Sequence, residues 1–201
     1  EISGEENVKV VASLDQLYAQ AYLVEPFLLA KTKEWAAMAD GYFFAHPSEN
    51  GPVFLNWNKS RQNLQQESVK FASIKKEERS IEKVVRCYAG DCSLLSDISR
   101  QSILFDDLKG IISCLQAIQI DSTVELVRIK NRMSVHYDSS SSAGYRDISL
   151  NLRFCTAKAR EIGIERHILE LQLILLAFAD LKHSRHGGHM RYVYWRNLRG
   201  E

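Results

Sequence analysis

Two stretches decide the fold class: Ile148-Ser149-Leu150-Asn151-Leu152-Arg153-Phe154 and His167-Ile168-Leu169-Glu170-Leu171-Gln172-Leu173-Ile174-Leu175. In the first, Ile148, Leu150, Leu152 and Phe154 alternate with Ser149, Asn151 and Arg153; in the second, Leu169, Leu171, Leu173 and Leu175 alternate with Glu170 and Gln172. Side chains of a strand point to opposite faces in turn, so both segments read as strands with one apolar and one polar face. Outward from them, Gln101 to Phe105 is a short β-rich run, Leu108 to Ile118 has helical periodicity, and Val124 to Lys130 is a third strand candidate. The expected class is α+β, a mixed β-sheet flanked by helices.

Before the sheet, Leu14, Leu17, Tyr18, Ala21, Phe27, Leu28, Trp35 and Met38 recur at helical intervals, and Ser13 with Gln16 has the form of a capping box. Pro26 cannot donate to a helical ladder, so two helices or one kinked helix are expected. Gly41 to Gln62, with Pro47, Gly51, Pro52 and several Asn, reads as a long loop, and Val69 to Tyr88 as a helix ended by Gly90-Asp91. The organisation expected is a helical extension and loop over 1–70 followed by the sheet domain over 71–201. Ser139 to Ser142 reads as a solvated loop tip.

The chain has 201 residues, 26 Lys plus Arg against 25 Asp plus Glu, and 45% hydrophobic residues, which sets aside disorder, collagen and coiled coil. A net charge of +1 removes any blanket attraction to nucleic acid or anionic membrane and leaves room for a local basic patch. No stretch is apolar for the ~20 residues needed to span a bilayer, so no membrane is expected as a partner. The start, Glu1-Ile2-Ser3-Gly4, lacks the basic and apolar regions of a signal peptide, and a cytoplasmic location is expected. The first residue is not Met, as in a part of a longer chain. Cys87, Cys92, Cys114 and Cys155 fit neither a zinc framework nor a disulfide scaffold and are expected to be reduced and mostly buried.

Several residues invite a chemical reading. Arg128 and Lys130 fall on one side of a strand, either as a phosphate-binding pair or as solvated charges at a surface. Glu170, in the middle of a strand, needs a solvent-exposed sheet face or a site with a cation, a metal ion or a hydroxyl to deprotonate. Asp97 precedes the first strand, as a cap, an ion-pair partner of Arg100, or a divalent-cation ligand. Lys76, Arg79 and Lys83 line one side of a helix among Glu77, Glu78 and Glu82, which also suits a solvated face. His183, His186 and His189 are evenly spaced, but Gly187-Gly188 interrupts any helix aligning them, which argues against zinc. From Lys182 to Glu201 five cations face one carboxylate, interleaved with Tyr192, Tyr194 and Trp195. Such a tail suits RNA, through Arg191 and Arg196, or aromatics packed under the sheet.

The order of these segments, over about Lys75 to Tyr194, resembles the synthetase domain of the RelA/SpoT family, a nucleotidyltransferase-like fold. Asp97-Ile98-Ser99 matches the family's magnesium-binding Asp before a strand, and Arg128-Ile129-Lys130 the cations of its R-x-K-D motif. Ala143-Gly144-Tyr145 looks like the turn whose Tyr stacks on the acceptor guanine, and Leu169-Glu170-Leu171-Gln172 like the E-I-Q-I-R-T strand. His189 falls where the closing His lies. Asn131 replaces the Asp of R-x-K-D, Arg146-Asp147-Ile148-Ser149 replaces Q-S-I-H, and Ile174 and Ser102 stand where the family has Arg. Gly144-Tyr145-Arg146-Asp147 and Gly187-Gly188-His189 look more like a divergent eukaryotic branch within larger proteins than like a bacterial alarmone enzyme.

The resemblance implies Mg²⁺-dependent pyrophosphoryl transfer from ATP to the ribose 3′-hydroxyl of GDP or GTP. Asp97 and Glu170 would be the catalytic, metal-holding pair. Lys76, Arg79, Lys83, Arg128 and Lys130 would neutralise the phosphates, with Tyr145 and His189 at the bound nucleotide. The alternative is a degenerate, non-catalytic interaction or regulatory module, partnered by protein or by the rest of a longer chain, that retains the fold.

Overall fold

The computed structural model describes residues 11, 13–46, 51–142, 144–183 and 194. Ser13 caps α1 (Leu14–Met38), its hydroxyl accepting from the Gln16 amide at 3.2 Å. A single helix runs through Pro26, where two segments or a kink were expected. Pro26 and Tyr22, the residue one turn earlier, are both on the exposed side, so water can serve the carbonyl that proline leaves unpaired.

The expected long loop is instead a hairpin and a short helix: β1 (Tyr42–Phe44), β2 (Phe54–Asn56) and α2 (Trp57–Gln62). Gly41 lets the chain leave α1 against the sheet, since a Cβ there would lie 2.5 Å from the Ile103 side chain. The segment read as a helix from Val69 becomes one only at α3 (Glu77–Cys87). Before it, the chain lies along the next strand, with the Lys75 amide bonded to the Ile98 carbonyl and Ala72 bonded through both backbone groups to the Gln101 side chain.

Then follow β3 (Arg100–Phe105), α4 (Leu108–Gln119), β4 (Val124–Asn131), β5 (Ile148–Phe154), α5 (Ala157–Glu161), β6 (Leu169–Leu175) and α6 (Leu176–His183). Six strands form one mixed sheet in the order β2-β1-β3-β6-β5-β4, with β3 and β6 parallel and every other pair antiparallel. α1 and α4 pack on one face, burying Ile103, Phe105, Leu150, Leu152, Leu169, Leu171 and Leu173 against Val24, Leu28, Trp35, Ile111 and Cys114. α6 covers only the end of the other face, where Ala179 meets Leu104 and Ile174. The serine run is a 3₁₀ turn whose Ser142 is buried, its hydroxyl donating to the Tyr145 carbonyl at 2.7 Å, so it is only partly the solvated tip expected. All four cysteines are free thiols, and only Cys114 is buried. Among the described residues no helix is long and apolar enough to cross a membrane.

Candidate functional site

Residues paired directly across strands share a face of the sheet. The register therefore places Arg100 and Ser102 of β3, Glu170 and Gln172 of β6, Ser149 and Asn151 of β5, and Arg128 and Lys130 of β4 together, opposite the α1–α4 core. A bulge contributes to this. Leu126 is opposite Leu152 and Arg128 opposite Asn151, so Val127 is the extra residue that turns the cations of β4 to the polar side and Ile129 to the apolar one.

Asp97, on the segment leading into β3, is the most heavily engaged acid. Its Oδ2 accepts from Lys75 Nζ at 2.7 Å and Lys83 Nζ at 2.9 Å, with side-chain exposures of 15, 11 and 31% for Asp97, Lys75 and Lys83. Burial pushes the carboxyl up, but Lys83 and Lys75 together outweigh it and hold Asp97 below the usual range. The same carboxylate raises Lys83 against burial, whereas Lys75, also burdened by Lys83 and Arg100, is left lowered by its desolvation. Asp97 Oδ1 is buried without a hydrogen-bond partner.

Glu170 is half-buried and accepts from the Ser149 hydroxyl at 2.7 Å. Nearby, fully buried Asp147 is ion-paired through Oδ1 with Arg132, while its Oδ2 and the Tyr145 hydroxyl are buried without partners. Burial, then the Asp147 charge, pushes the Tyr145 phenol far above its ordinary value. Lys182 of α6 lies with its ammonium 5.3 Å from the centre of the Tyr145 ring. Desolvation and Arg100 lower it, and Asp147 and Glu170 oppose that shift.

Of the basic residues read from the helix, Lys83 reaches Asp97, and its companion is Lys75. Lys76 is exposed at the N-cap of α3, and Arg79 is ion-paired with Glu82. Arg128 is exposed and donates to Asn151 Oδ1 at 2.9 Å; Asn151 in turn donates to the Ser96 carbonyl, next to Asp97. Lys130 is exposed opposite Ser149. His189, together with His186, Arg191, Tyr192, Trp195 and Arg196, lies outside the described residues, as does the side chain of His183. Reading motifs alone misses Lys75, Arg100, Arg132, Asp147 and Lys182; strand alternation carried through β3 would have found Arg100.

Magnesium takes oxygen ligands, and is commonly held by one or two carboxylates together with substrate phosphates. Asp97 offers Oδ1, with Oδ2 committed to two ammonium groups, and Glu170 offers the oxygen not bonded to Ser149. Among the described residues no group of three or more His, Cys, Asp and Glu side chains is placed to hold a metal ion. The donors thus fit an ion held chiefly by a ligand's own phosphates.

No protein-family model matches the chain, and no curated protein matches it. Solved structures do. In fold the chain is similar to alarmone synthetases. The small alarmone synthetase 1 from Bacillus subtilis, bound to its product pppGpp, is 18% identical over 71% of this chain and 76% of that one, with a TM-score of 0.47. A GTP pyrophosphokinase family protein from Streptococcus pneumoniae is 14% identical over 67% and 68%, with a TM-score of 0.49. The type VI effector Tas1, in complex with its immunity protein, is 16% identical over 88% and 73%, with a TM-score of 0.48.

Proposed function

We propose that the polar face of the sheet binds nucleotide polyphosphate and transfers a pyrophosphoryl group from ATP to the ribose 3′-hydroxyl of GDP or GTP. The observation that carries this reading is the gathering of Lys75, Lys83, Arg100 and Lys182 around Asp97 and Glu170 on the polar face of the sheet, beside α6. Lys75 and Lys83 would neutralise the triphosphate, with Arg128, Lys130, Lys76 and Arg79 at its margin, while Tyr145 and His189 belong to the acceptor side. The 3′-oxygen attacks the β-phosphorus of ATP, the bond to the α–β bridging oxygen breaks, and AMP leaves. The hydroxyl proton passes to Glu170, whose other oxygen is fixed by Ser149. Asp97 Oδ1 would hold Mg²⁺ together with the ligand's phosphates, which leaves the free oxygen of Glu170 to take the proton, and the ion when bound spreads the charge developing on the phosphate oxygens. Positioning and charge stabilisation supply the rest.

Residues 71–201 would form the nucleotide-binding unit, with 1–70 as its extension. A second reading, a non-catalytic interaction or regulatory module, is favoured by the grip of two lysines on Asp97 and by Ser102 and Ile174 where cations were expected. One assay separates them. With ATP, Mg²⁺ and GDP or GTP, the wild type should release AMP and form a pyrophosphorylated nucleotide, and Glu170→Gln should lower that rate by about 10²–10⁴-fold. Product formation untouched by Glu170→Gln would exclude the mechanism, and no product from the wild type with any nucleotide would leave the non-catalytic reading.

A further inference from the structure

The sheet ends on two unlike edges. At one, β2 has only three residues. At the other, β4 has eight, exposed from Glu125 to Asn131, and among the described residues no strand pairs with its outer side. Leu126, Val127 and Ile129 are 41, 49 and 52% exposed there. An open row of backbone donors and acceptors flanked by aliphatic side chains is a template for another strand. The bulge at Val127 discourages chance partners, since bulges twist an edge away from ordinary strands. A strand that carries the same extra residue can follow it.

Such a strand is β4 itself. Its pairing with β5 puts Val124, Leu126, Ile129 and Asn131 on the apolar side of the sheet and Glu125, Arg128 and Lys130 on the polar side. Laid antiparallel on a second copy, about a two-fold axis between Val127 and Arg128, β4 overlaps over its whole length. That register sets Val124 against Asn131, Glu125 against Lys130 and Leu126 against Ile129, each pair occurring twice. Opposed residues of a ladder share a face, and all of these pairs do. Without the bulge none would, because residues an odd number apart in a regular strand point to opposite faces. The charges agree too. Among the described residues Lys130 has no carboxylate within ion-pair distance, and both bonds from Arg153 end on one oxygen of Glu125, Oε2.

We propose that β4 is a self-association edge, through which two copies of this chain join their sheets into one with the polar faces side by side. The pairing stands independently of the proposed reaction. One strand on each side is a small interface, so the pair forms at high concentration and separates on dilution.

Sedimentation equilibrium of the folded chain, from about 1 µM to about 1 mM, tests it. The mass should rise towards that of a dimer. Glu125→Lys and Lys130→Glu, both at exposed positions, each set like charges against each other twice and should weaken association about tenfold or more. In an equimolar mixture of the two variants every such pair is again of opposite sign, and association should return to within about threefold of the wild type. A wild type that stays monomeric throughout, association indifferent to either reversal, or a mixture that associates no better than its components would each overturn the edge.

Discussion

The two faces of one sheet are built from alternate residues of the same strands, yet they differ in kind. On one, Leu150, Leu152, Leu169, Leu171 and Leu173 are fully buried under α1 and α4. On the other, Ser149 and Asn151 are buried with hydrogen-bond partners, Glu170 is half-buried on the Ser149 hydroxyl, Gln172 is half-buried and Arg100 is exposed. The comparison teaches that β5 and β6 bury one face as an apolar core and keep the other mostly polar, apart from Ile174 under α6.

The largest test breaks that division. Asp147 is fully buried although it belongs to the polar side, and Arg132 is its ion-pair partner. Removing one member of a buried pair strands the other, so Asp147→Ala should cost roughly 3–5 kcal/mol in urea unfolding, as much as a core deletion. A cost below ~1 kcal/mol would mean that Arg132 finds water or another acceptor and that the polar face is more open than its burial indicates. Next, Leu171→Ala should cost roughly 2–5 kcal/mol while its neighbour Gln172→Ala stays within about 0.5 kcal/mol. Similar values for the two would contradict the facing set by the strand register.

A third test uses pH. His167 is 2% exposed, its Nε2 3.3 Å from the Ser99 hydroxyl and its Nδ1 3.4 Å from Gln20 Oε1, and burial pushes its pKa from 6.5 down to about 4. The folded chain thus keeps His167 neutral where the unfolded chain would protonate it. Its contribution is fully present above pH 6.5 and is lost as the pH falls from there to about 4, amounting to about 3 kcal/mol. His167→Gln should flatten this part of the acid limb in stability measurements from pH 7 to 4. An acid limb identical in the variant would show that His167 gains a proton without penalty.

Much of this plan was legible in the sequence, for specific physical reasons. β5 has the bounds its alternation predicted and β6 begins at Leu169, because strands with one buried face announce themselves in their side chains. Strands of three residues cannot, and β1 and β2 were hidden among Pro, Gly and Asn. The bulge at Val127 was equally invisible, since only the partner strand shows which residue is extra. In the candidate site, Lys83 is visible by helical spacing, Glu170 as a carboxylate inside an alternating strand, and Asp97 by its place before one. Lys75 is not, because the periodicity from Val69 suggests a helix where the chain is extended, and Lys182 is not, because its proximity to Tyr145 arises only when α6 folds back over β3 and β6.

The smallest effect lies at the outer edge of the polar face, where the comparison is sharpest. Arg153 donates through Nε and Nη2 to one oxygen of Glu125, at 3.0 and 2.8 Å, with 40 and 50% of the two side chains exposed. Geometry alone would rank this with the Arg132–Asp147 pair, but water competes for both partners and salt screens them. Glu125→Gln should therefore cost only about 0.2–1 kcal/mol, and the difference should shrink as salt rises from 0.1 to about 1 M. A cost above ~2 kcal/mol that salt leaves unchanged would show that β4 is shielded from water. The open margin that the proposed nucleotide site would require would then be lost on that side.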